Sequence, residues 1–331
     1  MPRALRIHGF TGIEGIQMDE VPMPEPAGRE VRLRVEAFAL NYGDLGLMED
    51  DYVFSLELPS CFGDEAAGIV DAVGPEVTRF RPGDRVSTVT FRNEGYPVDA
   101  EYCLFPEDYL AAYPARLSAV EGTSIWVQYL TAYYAFFEVA EITENDFILV
   151  TAASSSAGMG ATQLAGLAGA KVIGTTRTSA NAGFIRETGA HEVIATEEED
   201  VSARILEITD GKGVRVVYDP VGGKLTAHYA DAFGQDAIVF LYGDMSREPT
   251  VVPIAEAIRK NAVIRPHSVY NFVDKPMLRE RGIKFVYDAL DAGLIKPLID
   301  KVFPLDRFRE AFEYQVAAKG RRGKIVIKID G

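Results

Sequence analysis

The residues best placed to do chemistry lie in one turn. Thr151-Ala152-Ala153-Ser154-Ser155-Ser156-Ala157-Gly158-Met159-Gly160-Ala161 follows the apolar run Phe147-Ile148-Leu149-Val150. A dinucleotide-binding turn needs small residues at spacing three. One makes the tight turn, one lets the backbone approach pyrophosphate, and one lets the helix pack on the strand. Ala152, Ser155 and Gly158 stand at that spacing. Main-chain N–H groups at the start of the next helix, around Ser156, Ala157 and Gly158, would hold a pyrophosphate with help from the helix dipole. The hydroxyls of Ser154, Ser155 and Ser156 add donors. The plainer reading is a small-residue turn that only packs helix on strand.

Cofactor choice is read at the end of the second strand, Lys171-Val172-Ile173-Gly174-Thr175. NAD-specific sites usually place Asp or Glu there, accepting from the ribose hydroxyls. This chain continues Thr176-Arg177-Thr178-Ser179, with no carboxylate. Arg177 offers the planar fork that suits a 2′-phosphate, so the expected cofactor is NADPH. The alternative is that Arg177 is a solvated loop charge.

These residues need strands and helices to hold them. After Val150 come a small-residue helix over 157–168, the second strand, a helix over 180–188 and a short strand at Val193-Ile194. A helix over 201–209, a strand over 215–219 and another over 237–241 follow. Strands alternating with helices predict a doubly wound parallel sheet. Upstream, 123–140 lacks Gly and Pro and reads as helix. There Trp126, Tyr133, Tyr134, Phe136 and Phe137 are expected in the core. The first third reads as β: Glu30–Glu36 alternates with period two, 67–74 is apolar, and Arg81-Pro82-Gly83-Asp84 turns into the strand 85–89. The chain ends in a helix over 305–318 and an alternating strand over 323–329. The expected architecture is α/β, a β-rich domain built from 1–122 and 266–331 with an α/β domain, 123–265, inserted.

At 331 residues, two domains are the natural expectation. The formal charge is −15, which argues against nucleic acid as a partner because such binding needs a basic footprint. No segment is long and apolar enough to span a membrane. Met1–Ile7 does not read as a secretory signal, so the expected location is the cytoplasm. Cys61 and Cys103 are expected to be reduced thiols.

With these residues placed, the sequence resembles the medium-chain dehydrogenase/reductase superfamily along nearly its whole length. The resemblance is carried by Asn41-Tyr42-Gly43-Asp44, Gly63-Asp64-Glu65-Ala66-Ala67-Gly68 and Val73-Gly74-Pro75 through Pro82-Gly83-Asp84-Arg85-Val86. It continues through Tyr129-Leu130-Thr131-Ala132-Tyr133, the 151–161 turn, Asp219-Pro220-Val221-Gly222-Gly223 and Gly323-Lys324-Ile325-Val326. It implies a GroES-like β domain with an inserted Rossmann domain, and cofactor contacts at Thr131, Tyr242 and Gly243. Family members often carry a lysine where this chain has Asn181, so one phosphate-binding charge is missing there.

Zinc-dependent relatives carry a Cys in the region of Asn41 and a His in a G-H-E triplet. Here the triplet is Gly63-Asp64-Glu65, and the cysteines of a structural zinc lobe are absent. The expectation is a zinc-free enzyme. Asn41 through Tyr52 resembles a quinone-reductase segment, which makes Asn41 and Tyr52 the expected catalytic pair. Tyr52 also matches a proton-donating tyrosine of enoyl thioester reductases, though it could simply line a wall. The expected function is hydride transfer from NADPH to a quinone, enone or enal. A 2-enoyl thioester reductase is the second reading, and the acidic loop from Phe91 to Asp99, with Glu94, argues against it. A third reading is a non-catalytic, crystallin-like NADPH-binding protein. The resemblance also implies a homodimer that pairs sheets edge to edge over 262–272.

Overall fold

The computed structural model describes residues 1–91, 95–317 and 320–329. The chain forms two compact units. One holds residues 1–127, 297–319 and 324–331, and the other holds 128–296 and 320–323.

The second unit contains a six-stranded, wholly parallel sheet. Across the sheet the strands run Glu192–Ala195, Lys171–Thr176, Phe147–Val150, Val214–Asp219, Phe233–Leu241 and Val263–Pro266. Numbered by appearance in this unit, that order is 3-2-1-4-5-6, the Rossmann arrangement. A parallel sheet is covered on both faces, so its strands are apolar throughout. Ile148, Leu149, Val150, Val216, Val217 and Tyr218 are accordingly buried.

In the first unit a largely antiparallel, seven-stranded sheet is built around Glu30–Ala39, which pairs with Glu65–Val73, Tyr102–Pro106 and Lys324–Lys328. The two ends of the sequence thus meet in one sheet. Alternate residues Val31, Leu33 and Val35 face the core, as the period-two pattern requires.

Several expectations need revision. The return to the β-rich unit comes at 297 and not at 266, because residues 266–296 pack on their own sheet unit. The helix Pro276–Asp291 brings Phe285 against Tyr133 and Phe137. Gly282 lies so close to Leu130 and Tyr134 that a Cβ would meet them at 2.9 and 3.0 Å. The single helix expected over 123–140 is an α-helix, Trp126–Tyr133, that widens into a π-helical turn, Tyr134–Val139. The C-terminal helix is Phe308–Ala317. Its expected last residue, Ala318, and the loop residue Glu94 lie outside the described residues. Trp126, Tyr133, Tyr134 and Phe136 are buried core, and Phe137 is half-buried.

Candidate active site

The phosphate turn is held from three directions. Thr151 Oγ1 donates to Asp219 Oδ1 at 2.5 Å, and Ala153 N donates to Thr175 O at 2.9 Å. The Ser155 hydroxyl caps the helix Ser156–Leu167 by accepting from Gly158 N at 3.1 Å. Such a cap satisfies one of the free N–H groups at a helix start. Gly158 is indispensable here, since a Cβ would sit 2.6 Å from Ala152 O. Ala152 adopts φ +47°, a left-handed conformation that disfavours a side chain by about 1–2 kcal/mol. Ser154, Ser155, Ser156 and Ala157 are half-buried and line the start of this 12-residue helix.

The other predicted cofactor residues follow the carboxyl ends of the parallel strands, where ligands bind in open α/β sheets. Thr176 ends its strand half-buried, and Arg177 is exposed just beyond it. Asn181 is half-buried and accepts from Arg322 Nε at 3.2 Å. Tyr242 stacks on Tyr218 with ring centroids 4.0 Å apart, and burial drives both phenols well above their usual pKa. Gly243 lies against Pro220, whose carbonyl would be 2.8 Å from an added Cβ. Thr131 is joined to this edge through its carbonyl, which accepts from His267 Nε2 at 2.8 Å. Burial lowers the His267 pKa to about 4, so the ring is neutral and Nε2 carries the proton in this bond.

One organising residue was quoted in the sequence motifs without a role. Asp219 is fully buried, and its Oδ1 also accepts from Val221 N at 2.8 Å. Its Oδ2 accepts from Tyr229 Oη at 2.8 Å. A single carboxylate thereby ties the first strand's exit to the fourth strand's turn.

In the β-rich unit Asn41 begins the helix Tyr42–Met48. Its N–H donates to Asp44 Oδ2 at 2.6 Å, and its carbonyl accepts from Gln315 Nε2 at 2.7 Å. Its side chain donates to Glu65 Oε2 at 3.3 Å and accepts from Lys324 Nζ at 2.6 Å. Asn41 is thus a junction between this helix and two strands. Glu65 and Lys324 also pair with each other, and Glu65 accepts from Val127 N at 3.0 Å. Sequence reasoning noted both residues only as motif letters.

Tyr52 folds back on the same helix. Its ring lies over Gly43 and Gly46, and its Oη would be 3.1 Å from a Cβ at 43. The edge of Phe54 supports the ring at 5.3 Å. The helix that Asn41 caps is therefore the floor of the Tyr52 ring, so the two expected catalytic residues both contact one element.

Three acids gather nearby. Asp44 and Asp99 are buried, and Asp64 is half-buried. Burial raises the Asp44 pKa to about 8, and Asp64 adds to the rise. Burial also raises Asp99, reinforced by Asp44 and Asp64. Neither Asp99 oxygen has a hydrogen-bond partner among the described residues. Asp99 packs against Gly63, where an added Cβ would lie 2.0 Å from Oδ1. This corrects one expectation: Asp99 is interior and is not an exposed charge of the loop. Among the described residues no group of three or more His, Cys, Asp or Glu is arranged to hold a metal ion. Cys61 and Cys103 are free thiols, and burial pushes Cys103 up to about 12. No helix among the described residues is long and apolar enough to cross a membrane.

Comparison with known proteins gives the same picture. The family model for the alcohol dehydrogenase GroES-like domain matches residues 27–132, and that for zinc-binding dehydrogenase matches 157–286. A quinone oxidoreductase of Pseudomonas aeruginosa is 30% identical over 99% of both chains. A 2-haloacrylate reductase of a Burkholderia species is 29% identical over 99% of both. The crystal structure of Escherichia coli quinone oxidoreductase complexed with NADPH superposes with a TM-score of 0.89, at 28% identity, over 98% of this chain and 99% of that one. The chain belongs to the medium-chain dehydrogenase/reductase superfamily, in its quinone oxidoreductase branch.

Proposed function

We propose that this chain is a zinc-independent reductase that takes hydride from NADPH and delivers it to a conjugated acceptor: a quinone, an enone or an enal. The observation that carries this reading is the turn at 151–158. Its small residues, the Ser155 cap and the open start of a 12-residue helix suit a pyrophosphate. The strand end at Thr176-Arg177 offers a guanidinium and no carboxylate of its own, which suits a 2′-phosphate, although Glu198 from the following loop accepts from Ser179 N. The relatives' own names, a quinone oxidoreductase, a 2-haloacrylate reductase and an NADPH complex, support the acceptor class and the cofactor.

NADPH, when bound, supplies the hydride. The chain does the rest. The free backbone N–H groups of Ser156 and Ala157 would hold the pyrophosphate, while Ser155 takes that of Gly158 and Asp219 keeps the turn in place. Tyr242, braced by Tyr218, and Gly243 stand at the strand ends where a nicotinamide would lie. Thr131 joins them through His267. Asn41 fixes the helix beneath Tyr52, and Tyr52 Oη can donate a hydrogen bond or a proton to an enolate oxygen. A quinone's product oxyanion takes its proton from water and needs no such group.

A 2-enoyl thioester reductase is the second reading. It is supported by the seat of Tyr52 on Gly43 and by the burial of Asp99, which removes one of the loop's two acids from the objection to an anionic thioester. We further read the protein as a cytoplasmic homodimer. Free Cys61 and Cys103 support the first point. The second is supported by Val263–Pro266 at the sheet edge, with exposed Val263 and Ile258 beside it.

The test is NADPH fluorescence on binding, followed by absorbance loss at 340 nm with quinones, enones and enoyl thioesters, before and after chelation. The reading requires turnover that chelators leave intact and no stoichiometric zinc. Cofactor binding without turnover on any acceptor would favour the crystallin-like, non-catalytic alternative.

A further inference from the structure

We propose that Arg322, from the far end of the chain, is a specificity-determining residue of the cofactor site, sharing the 2′-phosphate of NADPH with Arg177. The inference rests on the NADPH reading above. Arg322 Nε donates to Asn181 Oδ1 at 3.2 Å. Its guanidinium lies 5.5 Å from the centre of the Phe184 ring. Those two contacts fix an otherwise exposed side chain beside the loop that follows the second strand. The next residue, Gly323, pairs with Ser155 in a parallel bridge. One short peptide therefore touches both ends of the cofactor site: Gly323 at the pyrophosphate turn and Arg322 at the ribose end. All these residues belong to the same compact unit.

The chemistry suits the position. A guanidinium has five N–H donors in a rigid fork, and only Nε is engaged with Asn181. Its two terminal nitrogens bond to no described residue and can meet a phosphate in a paired fashion. A second cation is needed because the loop already carries an opposing charge. Glu198 Oε1 accepts from Ser179 N at 3.0 Å and from Ser179 Oγ at 3.4 Å. A phosphate must displace that carboxylate to reach Ser179, in a chain of net charge −15. A guanidinium at 322 would help to offset Glu198 when a phosphate approaches.

The experiment is fluorescence titration of the intact protein with NADPH and, separately, NADH. It compares the parent with Arg322→Ala, Arg322→Lys and Glu198→Gln, with a thermal melt of each. A charge-assisted hydrogen bond lost to phosphate should weaken NADPH by about 10- to 150-fold in Arg322→Ala. NADH affinity and melting temperature should stay at parent values. Arg322→Lys should recover part of the loss, and Glu198→Gln should tighten NADPH. Equal losses for NADPH and NADH would overturn the proposal, leaving Arg322 as a brace for the 155–158 turn through Gly323. No loss for either would overturn it as well. A parent that binds NADPH no better than NADH would instead sink the cofactor reading beneath it, so the two failures are distinct.

Discussion

Lys324 and Glu65 form an ion pair with side chains only 2% and 1% exposed, and the Asn41 amide bridges them. They lie 259 residues apart in sequence. Taking two charges out of water is costly, and the pair survives only because hydrogen bonds satisfy what remains. Val127 N and both ends of the Asn41 amide supply them.

The pair gives a stability prediction. Lys324→Met leaves Glu65 buried without its counter-charge, so it should destabilise by about 3–5 kcal/mol. Adding Glu65→Gln in the same chain should return most of that loss. Urea unfolding of the two single variants, the double variant and the parent measures the coupling. Additive losses would mean the two side chains act independently.

A second prediction concerns pH. Asp44, with its pKa raised to about 8, and Asp99, also raised, hold protons in the folded state that the unfolded chain releases above about pH 4. Folded protein therefore binds more protons between these limits, and stability falls as pH rises through that window. Asp99→Asn removes one titrating group while keeping the shape. It should gain stability over the parent at pH 8 and gain less at pH 5.5. The same difference at both pH values would contradict a buried neutral carboxyl.

Much of this was readable from residue order. The βαβ rhythm from 146 to 241 predicted the parallel sheet because each buried strand is a continuous apolar run. The A-x-x-S-x-x-G spacing marked the turn into the helix Ser156–Leu167, and its Gly158 cannot carry a Cβ. The return point was not readable. An apolar helical pattern over 276–291 fits either unit equally well, and only the aromatic contacts of Phe285 decide it. The Lys324–Glu65 and Arg322–Asn181 contacts were also invisible, since distant pairings leave no periodic trace. Asp99 reads as a loop charge from its letter alone, and only its packing on Gly63 shows it to be interior.

A third prediction concerns assembly. Sedimentation at micromolar concentration should give a dimer mass, and Val263→Asp on the exposed edge strand should shift it toward monomer. A monomeric parent would end the edge-pairing proposal.

The fourth prediction isolates Tyr52. Tyr52→Phe keeps the ring on Gly43 and Gly46 and removes only the hydroxyl. If Tyr52 acts as acid, enone or enoyl thioester turnover should fall by roughly 10²–10⁴-fold. Quinone turnover should fall far less, and NADPH affinity should hold. Undiminished enone turnover would leave Tyr52 as a wall and water as the acid.

The central claim is hydride transfer from NADPH to a conjugated acceptor without zinc. It is tested most directly by following 340 nm absorbance of metal-stripped protein with NADPH or NADH and a panel of quinones, enones and enoyl thioesters. The account predicts acceptor-dependent oxidation that is faster with NADPH at subsaturating cofactor and unchanged by added zinc. Oxidation that appears only when zinc is restored, or none with any acceptor despite tight NADPH binding, would contradict it.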